Sequence, residues 1–585
     1  MANTGHLIKL VFEPVLMVTI IYILAKLFHC TRVLRWRGIR FGILGMILLW
    51  AAEVVTGLTI FRGSWMPGMA FFLLMVVPYA YIRGHSDSLE VRDFSKLKNH
   101  FITGISGMVI FFILEVVKAH FFLGIIISMA EWLALIIAMS CAFSCFVYYL
   151  IYHNLFQTDD MLPILLTDLG EASAFLRGQI GVGKIIGTVF SICVCSIITE
   201  WLVITVKRIL NGISPLYLGI VFVVSLFLFI RYVRGCFPVH EYLWAKKHIR
   251  DMEKVRGQHR ENLKKLEVET ENTPDRIVLV IGESANRDHM KAFNPDYPVD
   301  STPWETRMKE EKGFYLFPRS YSNFTQTAQV MEQMLTGMNQ YGHESGEYFI
   351  TLMDIARKAG METWWLSNQE DNDFFSEYIA NQADYRLWTE HRKGDDRQFL
   401  SMLEKLPKKG KQFIIIHLMG SHLRYEDRIP EGMHLLPTPG AGRDVRAYDT
   451  SLLYTDQLLQ DMMEWNRQRA GTSAFLYVSD HAEDMVYTHG TGHMSFDMVR
   501  IPFWIYLSPE MESVNPELAA GLSANRNALF TNDLIYDTAC GLMQAPNSMY
   551  VKRFDISSRS YDLKENEAMT MHGKIKICED PMLRK

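Results

Sequence analysis

Cysteine, sequence repeats and net charge are all in short supply in this chain, and each shortage narrows what it can be. Of the 8 cysteines in 585 residues, Cys30, Cys141, Cys145, Cys193, Cys195 and Cys236 lie in or beside apolar runs, where they serve most simply as small apolar residues. Only Cys540 and Cys578 remain for the polar half, which excludes a framework of several disulfides. One bridge at most has room there, and its presence or absence identifies no oxidising compartment. The 59 Lys and Arg are matched by 64 Asp and Glu, for a formal charge of −5, so no basic excess exists to track nucleic acid. No internal repeat of 20 to 50 residues and no low-complexity tract interrupts the chain, which leaves out solenoid and propeller arrays. A cleavable leader is also lacking: the first apolar run follows a short polar stretch without an A-x-A-like site and reads as a retained anchor.

What is present is a chain of two unlike parts, as expected for a length beyond the roughly 250 to 300 residues at which single cores stop growing. Residues 1–236 are rich in Leu, Ile, Val and Phe, and residues 274–585 have the composition of an ordinary soluble domain. Apolar runs at 8–30, 41–61, 66–83, 101–117, 121–152, 184–206 and 215–233 approach or exceed the ~20 residues a membrane helix needs, the third and fourth being short. They predict an α-helical transmembrane domain of six or seven helices. Clusters at Arg32–Arg40, Arg83–Lys98 and Lys207–Arg208 all favour the cytoplasm, a demand that a seven-helix path ending outside does not meet, so charge alone leaves orientation open. Segment 153–183 is too polar to span; its apolar residues recur every three or four positions, which suits an amphipathic helix at the membrane surface or a plain connecting loop. Residues 237–273 carry alternating charge, including Arg260-Glu-Asn-Leu-Lys-Lys-Leu-Glu-Val-Glu-Thr-Glu271, and read as a solvated bridging helix.

From 274 onward short apolar strands at 276–282, 362–367, 412–418, 473–479 and 501–507 alternate with helix-length segments, the rhythm of an α/β domain with a mixed, mainly parallel sheet. Two of these strands end on acids. Arg276-Ile-Val-Leu-Val-Ile-Gly stops at Glu283, and Phe475-Leu-Tyr-Val-Ser stops at Asp480-His481. In such sheets ligands gather beyond the carboxyl ends of strands, and oxygen plus imidazole donors there suit zinc or manganese. Two ordinary core strands with acidic ends would look the same. Three protein ligands would leave a position open for a substrate oxygen, the pattern of a catalytic metal.

The hydroxyl to complete the set is Thr327, which stands where a helical pattern begins. Metal and helix dipole together would lower its pKa and make it a nucleophile, although a Thr in that place is more often only a helix cap. Ser284 is a rival beside Glu283, but a strand-end serine is more often a turn residue. Arg287 and Lys291 offer cations for a phosphate or for solvent alike. His417, inside an apolar strand, reads as a core or supporting residue, and His422, His489 and His493 lie in polar loops.

The set Val280-Ile-Gly-Glu-Ser284, Thr327, His417-Leu-Met-Gly-Ser-His422 and Ser479-Asp-His481-Ala-Glu-Asp resembles the membrane-anchored phosphoethanolamine transferases of the alkaline phosphatase/sulfatase superfamily. The likeness is greatest to those that modify heptose of the lipopolysaccharide core. It extends to Leu165–Leu176 and to Ile501-Pro-Phe-Trp504. The resemblance implies that Glu283, Thr327, Asp480 and His481 bind one or two zinc ions, with manganese less favoured, and that Thr327 becomes phosphoethanolaminated. It places His422 at the substrate phosphate and one further histidine, His489 or His493, at the same phosphate or a second metal. Where relatives often have Gly after Asp-His, Ala482 stands here and narrows the room for backbone approach; several relatives also carry disulfides that two cysteines cannot supply.

The expected enzyme is a bacterial inner-membrane, multi-pass protein with its catalytic domain in the periplasm. It would move phosphoethanolamine from phosphatidylethanolamine to a lipopolysaccharide acceptor, core heptose or lipid A, and work as a monomer among membrane lipids without nucleic acid. Two alternatives keep the same core: transfer of phosphoglycerol or phosphoethanolamine to another envelope glycan, or hydrolysis by a membrane-bound phosphodiesterase or sulfatase. No C/S-x-P-x-R segment surrounds Thr327, which argues against a sulfatase proper. An inactive membrane sensor is the alternative from another class.

Overall fold

The computed structural model describes residues 215–585 apart from 237, 370–373, 390–394, 470, 491–493 and 585, together with scattered residues between 71 and 161, chiefly the helix Phe94–Lys118. The chain divides into two compact units, Met1–Lys247 and His248–Lys585.

In the first unit the helices Phe94–Lys118 and Pro215–Val233 lie side by side. The ring of Phe71 sits 5.3 Å from Phe111 and 6.1 Å from Phe229, and the Asn99 amide donates to the carbonyl of Gly235 at 3.2 Å. Among the described residues no helix is long and apolar enough to cross a membrane. The expected spans 101–117 and 215–233 fall in these two helices and do not meet that requirement. Lys98 and Glu115 bracket about 24 Å of uncharged helix in the first, against a hydrocarbon core of about 30 Å. The expected spans 8–30, 41–61 and 184–206 lie outside the described residues, as do most of 66–83, 121–152 and the amphipathic segment 153–183.

In the second unit, eleven strands occur among the described residues: β1 (Arg276–Gly282), β2 (Phe314–Leu316), β3 (Ser320–Tyr321), β4 (Glu362–Ser367), β5 (Tyr385–Trp388), β6 (Gln412–His417), β7 (Ser473–Ser479), β8 (Phe503–Leu507), β9 (Phe530–Thr531), β10 (Met569–Thr570) and β11 (Ile575–Lys576). Seven of them form one sheet in the order β2-β8-β7-β1-β6-β4-β5. Neighbours from β7 through β1, β6 and β4 to β5 are parallel, and β8 runs antiparallel to both β7 and β2. The small pairs β3–β9 and β10–β11 stand apart.

Continuous apolar strands are what a sheet covered on both faces requires, and the period of two assigns each face its residues. On β1, Ile277, Leu279 and Ile281 join one core with Phe413, Leu476 and Ile505, while Val278 and Val280 join the other with Ile414, Phe475 and Trp504. The helix Arg443–Arg467 covers the second face through Tyr448, Leu452, Leu459 and Met463. The charged helix Val239–Lys265 is fastened along its later turns, where His259 meets Asp354 at 2.7 Å and the Asn262 amide donates to the carbonyl of Gly346. Cys540 and Cys578 are both free thiols, Cys540 buried, so the one bridge the sequence leaves room for is not made.

Candidate active site

Parallel pairing of β1 and β7 sets Gly282 opposite Ser479, so the next residues on the two strands, Glu283 and Asp480, emerge side by side at the carboxyl edge of the sheet. The Asp480 amide donates to the carbonyl of Gly282 at 3.0 Å, which extends the ladder to the carboxylate itself. Ser284 then turns the chain with φ +56°, and its amide donates to Asp480 Oδ1 at 3.2 Å. On the far side of Asp480, the Ser322 hydroxyl and the Asn532 amide both donate to its carbonyl at 2.6 Å. Three segments distant in sequence thus hold one aspartate in place.

Glu283, Asp480 and His481 are each at most 2% exposed, and each places one donor atom within 4.8 Å of the others. His481 Nε2 lies 3.2 Å from Glu283 Oε1 and 3.5 Å from Asp480 Oδ2. Its Nδ1 donates to the carbonyl of Ala482 at 3.1 Å, which turns Nε2 to the carboxylates; here Nε2–H donates to Glu283, and a bound metal would take the place of that proton. A ring nitrogen turned by a backbone carbonyl, with two buried carboxylates converging on the other nitrogen, is a donor set that fits a divalent cation. Burial, with Glu283 adding its charge, raises the pKa of Asp480. Burial would raise Glu283 as well, but the hydrogen bond and charge of His481 outweigh it and hold that carboxyl below the usual range. Two acids forced together without water require positive charge nearby.

Thr327 brings its hydroxyl to the same point, 2.6 Å from Asp480 Oδ2, 3.1 Å from Glu283 Oε2 and 3.4 Å from His481 Nε2. It is the first residue of the helix Thr327–Met334; the cap position belongs to Gln326, and no side chain caps the helix. The reading of Thr327 as a helix cap therefore fails: its oxygen is turned to the carboxylates. Thr327 is half-buried, whereas the rival Ser284 is fully buried with its hydroxyl on Glu283 Oε1 at 3.0 Å, as a strand-end turn residue would have it.

His422 arrives on the loop after β6. Asp396 accepts from the amides of Met419 at 3.0 Å and Gly420 at 2.9 Å, and the Ser421 amide donates to the carbonyl of Glu283, so the loop is pinned against the end of β1. Burial pushes the pKa of half-buried His422 down to about 4. His489 lies with its ring 4.4 Å from that of His481 and 6.4 Å from that of His422, and its Nδ1 faces the buried carboxylate of Glu483 at 3.1 Å. His493, the other candidate, lies outside the described residues. His417 is buried on β6, its ring 6.1 Å from that of Trp365, and is not in the donor cluster. Arg287 is buried over the Tyr321 ring and donates to the Ser320 carbonyl, and half-buried Lys291 donates to the carbonyl of Tyr297 at 2.6 Å. Ala482 is fully buried, and its conformation lies outside the left-handed region that would demand glycine.

Sequence reasoning missed Gln369, whose amide reaches Glu283 Oε2 at 3.4 Å, together with Asp396, Glu483, Ser322 and Asn532. Two of them had a signal: Gln369 follows the end of β4, at the same sheet edge as Glu283 and Asp480, and Glu483 stands two residues after His481.

Residues 275–545 match the sulfatase family model. This segment is a sulfatase-family domain. The domain is similar to phosphoethanolamine transferase EptC of Escherichia coli strain K12, with 27% identity over 283 residues, 42% of this chain and 48% of that protein. It is also similar to a putative phosphoethanolamine transferase of Haemophilus influenzae, with 30% identity over 227 residues, 35% of this chain and 45% of that protein. The chain thus spans about half the length of the curated relatives it matches. Among solved structures, the integral membrane protein lipooligosaccharide phosphoethanolamine transferase A of Neisseria meningitidis shares the fold, with a TM-score of 0.57 and 17% identity, covering 84% of this chain and 97% of that one.

Proposed function

We propose that the protein is a zinc-dependent transferase that moves phosphoethanolamine from phosphatidylethanolamine to a lipopolysaccharide acceptor, core heptose or lipid A, through an intermediate on Thr327. The observation that carries this reading is the Thr327 hydroxyl, free of capping duty and 2.6 Å from Asp480 in a buried donor set. Relatives named as phosphoethanolamine transferases supply the group transferred.

Glu283, Asp480 and His481 would hold the zinc, with Thr327 beside it. Zinc there would neutralise charge on a phosphoryl oxygen and favour the ionised hydroxyl of the nucleophile. In the first step Thr327 Oγ1 bonds to the donor phosphorus, the bond from phosphorus to the glycerol oxygen breaks, and diacylglycerol leaves with a proton. His489, oriented by Glu483, is placed to give that proton and later to take one from the acceptor. In the second step the acceptor oxygen bonds to phosphorus and the bond to Thr327 Oγ1 breaks, which returns the threonine oxygen to its ionised form. His422, neutral near pH 7 because burial lowers its pKa, can offer one N–H to a phosphoryl oxygen without adding charge. Both substrates are lipids, which puts the working site at a membrane surface, and a lipopolysaccharide acceptor puts it on the periplasmic side of a bacterial inner membrane.

The test is intact mass of the purified full chain after exposure to phosphatidylethanolamine. A gain of one phosphoethanolamine is expected, retained in Thr327→Ser and absent in Thr327→Ala. An undiminished gain in Thr327→Ala would move the nucleophile elsewhere, and turnover in excess chelator would remove the metal from the reaction.

A further inference from the structure

The helix Pro215–Val233 carries a stripe that the transfer reading does not use. Ile220, Val223, Val224, Phe227 and Ile230 recur at helical intervals of three and four and are all large and exposed, Val223 at 65% and Phe227 at 66%. The stripe runs for about 15 Å and then changes character on the same face, at Arg231 and at Arg234 in the following turn. There the helix borders a cavity of about 450 Å³ lined by Asn99, Phe227, Ile230, Arg231, Arg234 and Gly235. Both arginines are exposed, and among the described residues neither is in an ion pair.

An apolar track that ends in two guanidiniums over a cavity matches one molecular shape: a long hydrocarbon with an anionic head. Guanidinium groups bind phosphate oxygens bidentately, and long cationic side chains keep their heads at the polar interface while their stems follow apolar surface. We infer that this cavity is a phospholipid site, in which Arg231 and Arg234 hold the phosphodiester of a membrane glycerophospholipid and an acyl chain follows the exposed face from Phe227 toward Ile220. The residues that line the site all belong to the first unit and none has a part in the proposed transfer, so either reading can fail without the other.

Native mass spectrometry of the full chain in neutral detergent with dioleoylphosphatidylglycerol tests it, a probe that is not the proposed donor. A basic residue near an anionic lipid head contributes about fivefold in affinity, so Arg231→Gln with Arg234→Gln should weaken binding about thirtyfold. The Lys pair at both positions should keep most of the affinity, and Lys408→Gln with Lys409→Gln on the second unit should change nothing. Because Val223 and Phe227 point outward, Val223→Gln with Phe227→Gln leaves the fold intact and should weaken the lipid while sparing any binding of inorganic phosphate. Full affinity in the double arginine variant would overturn the inference. So would complete displacement of the lipid by millimolar inorganic phosphate, which would mark a site for free anions.

Discussion

Gly420 offers a sharp test of how the site is held together. Its backbone has φ +49°, and a methyl group added there would lie 2.9 Å from the amide nitrogen and 3.0 Å from the carbonyl oxygen of Glu283. Alanine in that conformation costs about 1–2 kcal/mol by itself. The new carbon must also retreat by about 0.5 Å to reach ordinary contact distance, and the atoms it meets are backbone that no rotamer can move. Asp396, which accepts from the Met419 and Gly420 amides, and the Ser421 amide on the Glu283 carbonyl both resist the retreat, so overpacking adds about 1–3 kcal/mol. Gly420→Ala should therefore destabilise by about 2–5 kcal/mol, a fall in Tm on the order of 5–15 °C for a domain of this size. Displacement of the Glu283 carboxylate by a few tenths of an ångström should weaken metal binding and turnover by about tenfold each. Thermal melting and a zinc titration measure both. Gly440→Ala is the control, because Gly440 has φ +71° with nothing within 4 Å of the added carbon: it should cost only the backbone strain and leave metal affinity unchanged. If Gly420→Ala behaves like Gly440→Ala in both assays, the loop is not pinned against the end of β1 and the argument for Asp396 collapses.

Glu483→Gln should reduce turnover by about 10- to 100-fold with Tm nearly unchanged, since the neutral amide can no longer orient the His489 ring as a carboxylate does, and combining it with His489→Ala should add little further; additive losses would separate the two residues. Trp504→Phe should cost about 2 kcal/mol, because the indole N–H donates at 2.6 Å to Glu305, a fully buried acid whose carboxyl burial and Asp456 hold above the usual range; an unchanged melting curve would mean that water has taken the indole's place. For His422 the folded pKa of about 4 lies below the ordinary 6.5, so between those values the unfolded chain binds more protons and acid removes stability. His422→Asn should then flatten the rise in stability with pH from about 4 to 6.5, as followed by urea unfolding at several pH values, and an identical slope in both proteins would assign the acid sensitivity to other groups.

The strands that build the site were legible because their signals are local. The runs 276–282, 362–367 and 473–479 are apolar on both faces, which only a doubly covered sheet rewards, and β1, β4 and β7 occupy those bounds. The edge strands β2 and β5 were not legible. Phe314–Leu316 and Tyr385–Trp388 are too short to show a period, and three of the four residues of β5 are exposed, so nothing in their composition separates them from loop. The candidate donors Glu283, Asp480 and His481 announced themselves as polar residues that break off apolar strands. Thr327 needed the resemblance, since a Thr at a helix start is ordinarily a cap.

What the order of residues determined unaided is the alternation of strands and helices, and which polar groups stand at strand ends. These follow from periodicity and from the burial that each run of side chains demands. The folded structure alone decided that β1 and β7 are neighbours in register, that the Thr327 oxygen faces a carboxylate and not its own helix, and that His489 lies against His481. It alone revealed Asp396 and Asn532 as supports, for each acts on a residue tens of positions away. A hydrogen bond depends on distance and angle between atoms, and only the packing of the sheet and its helices sets those.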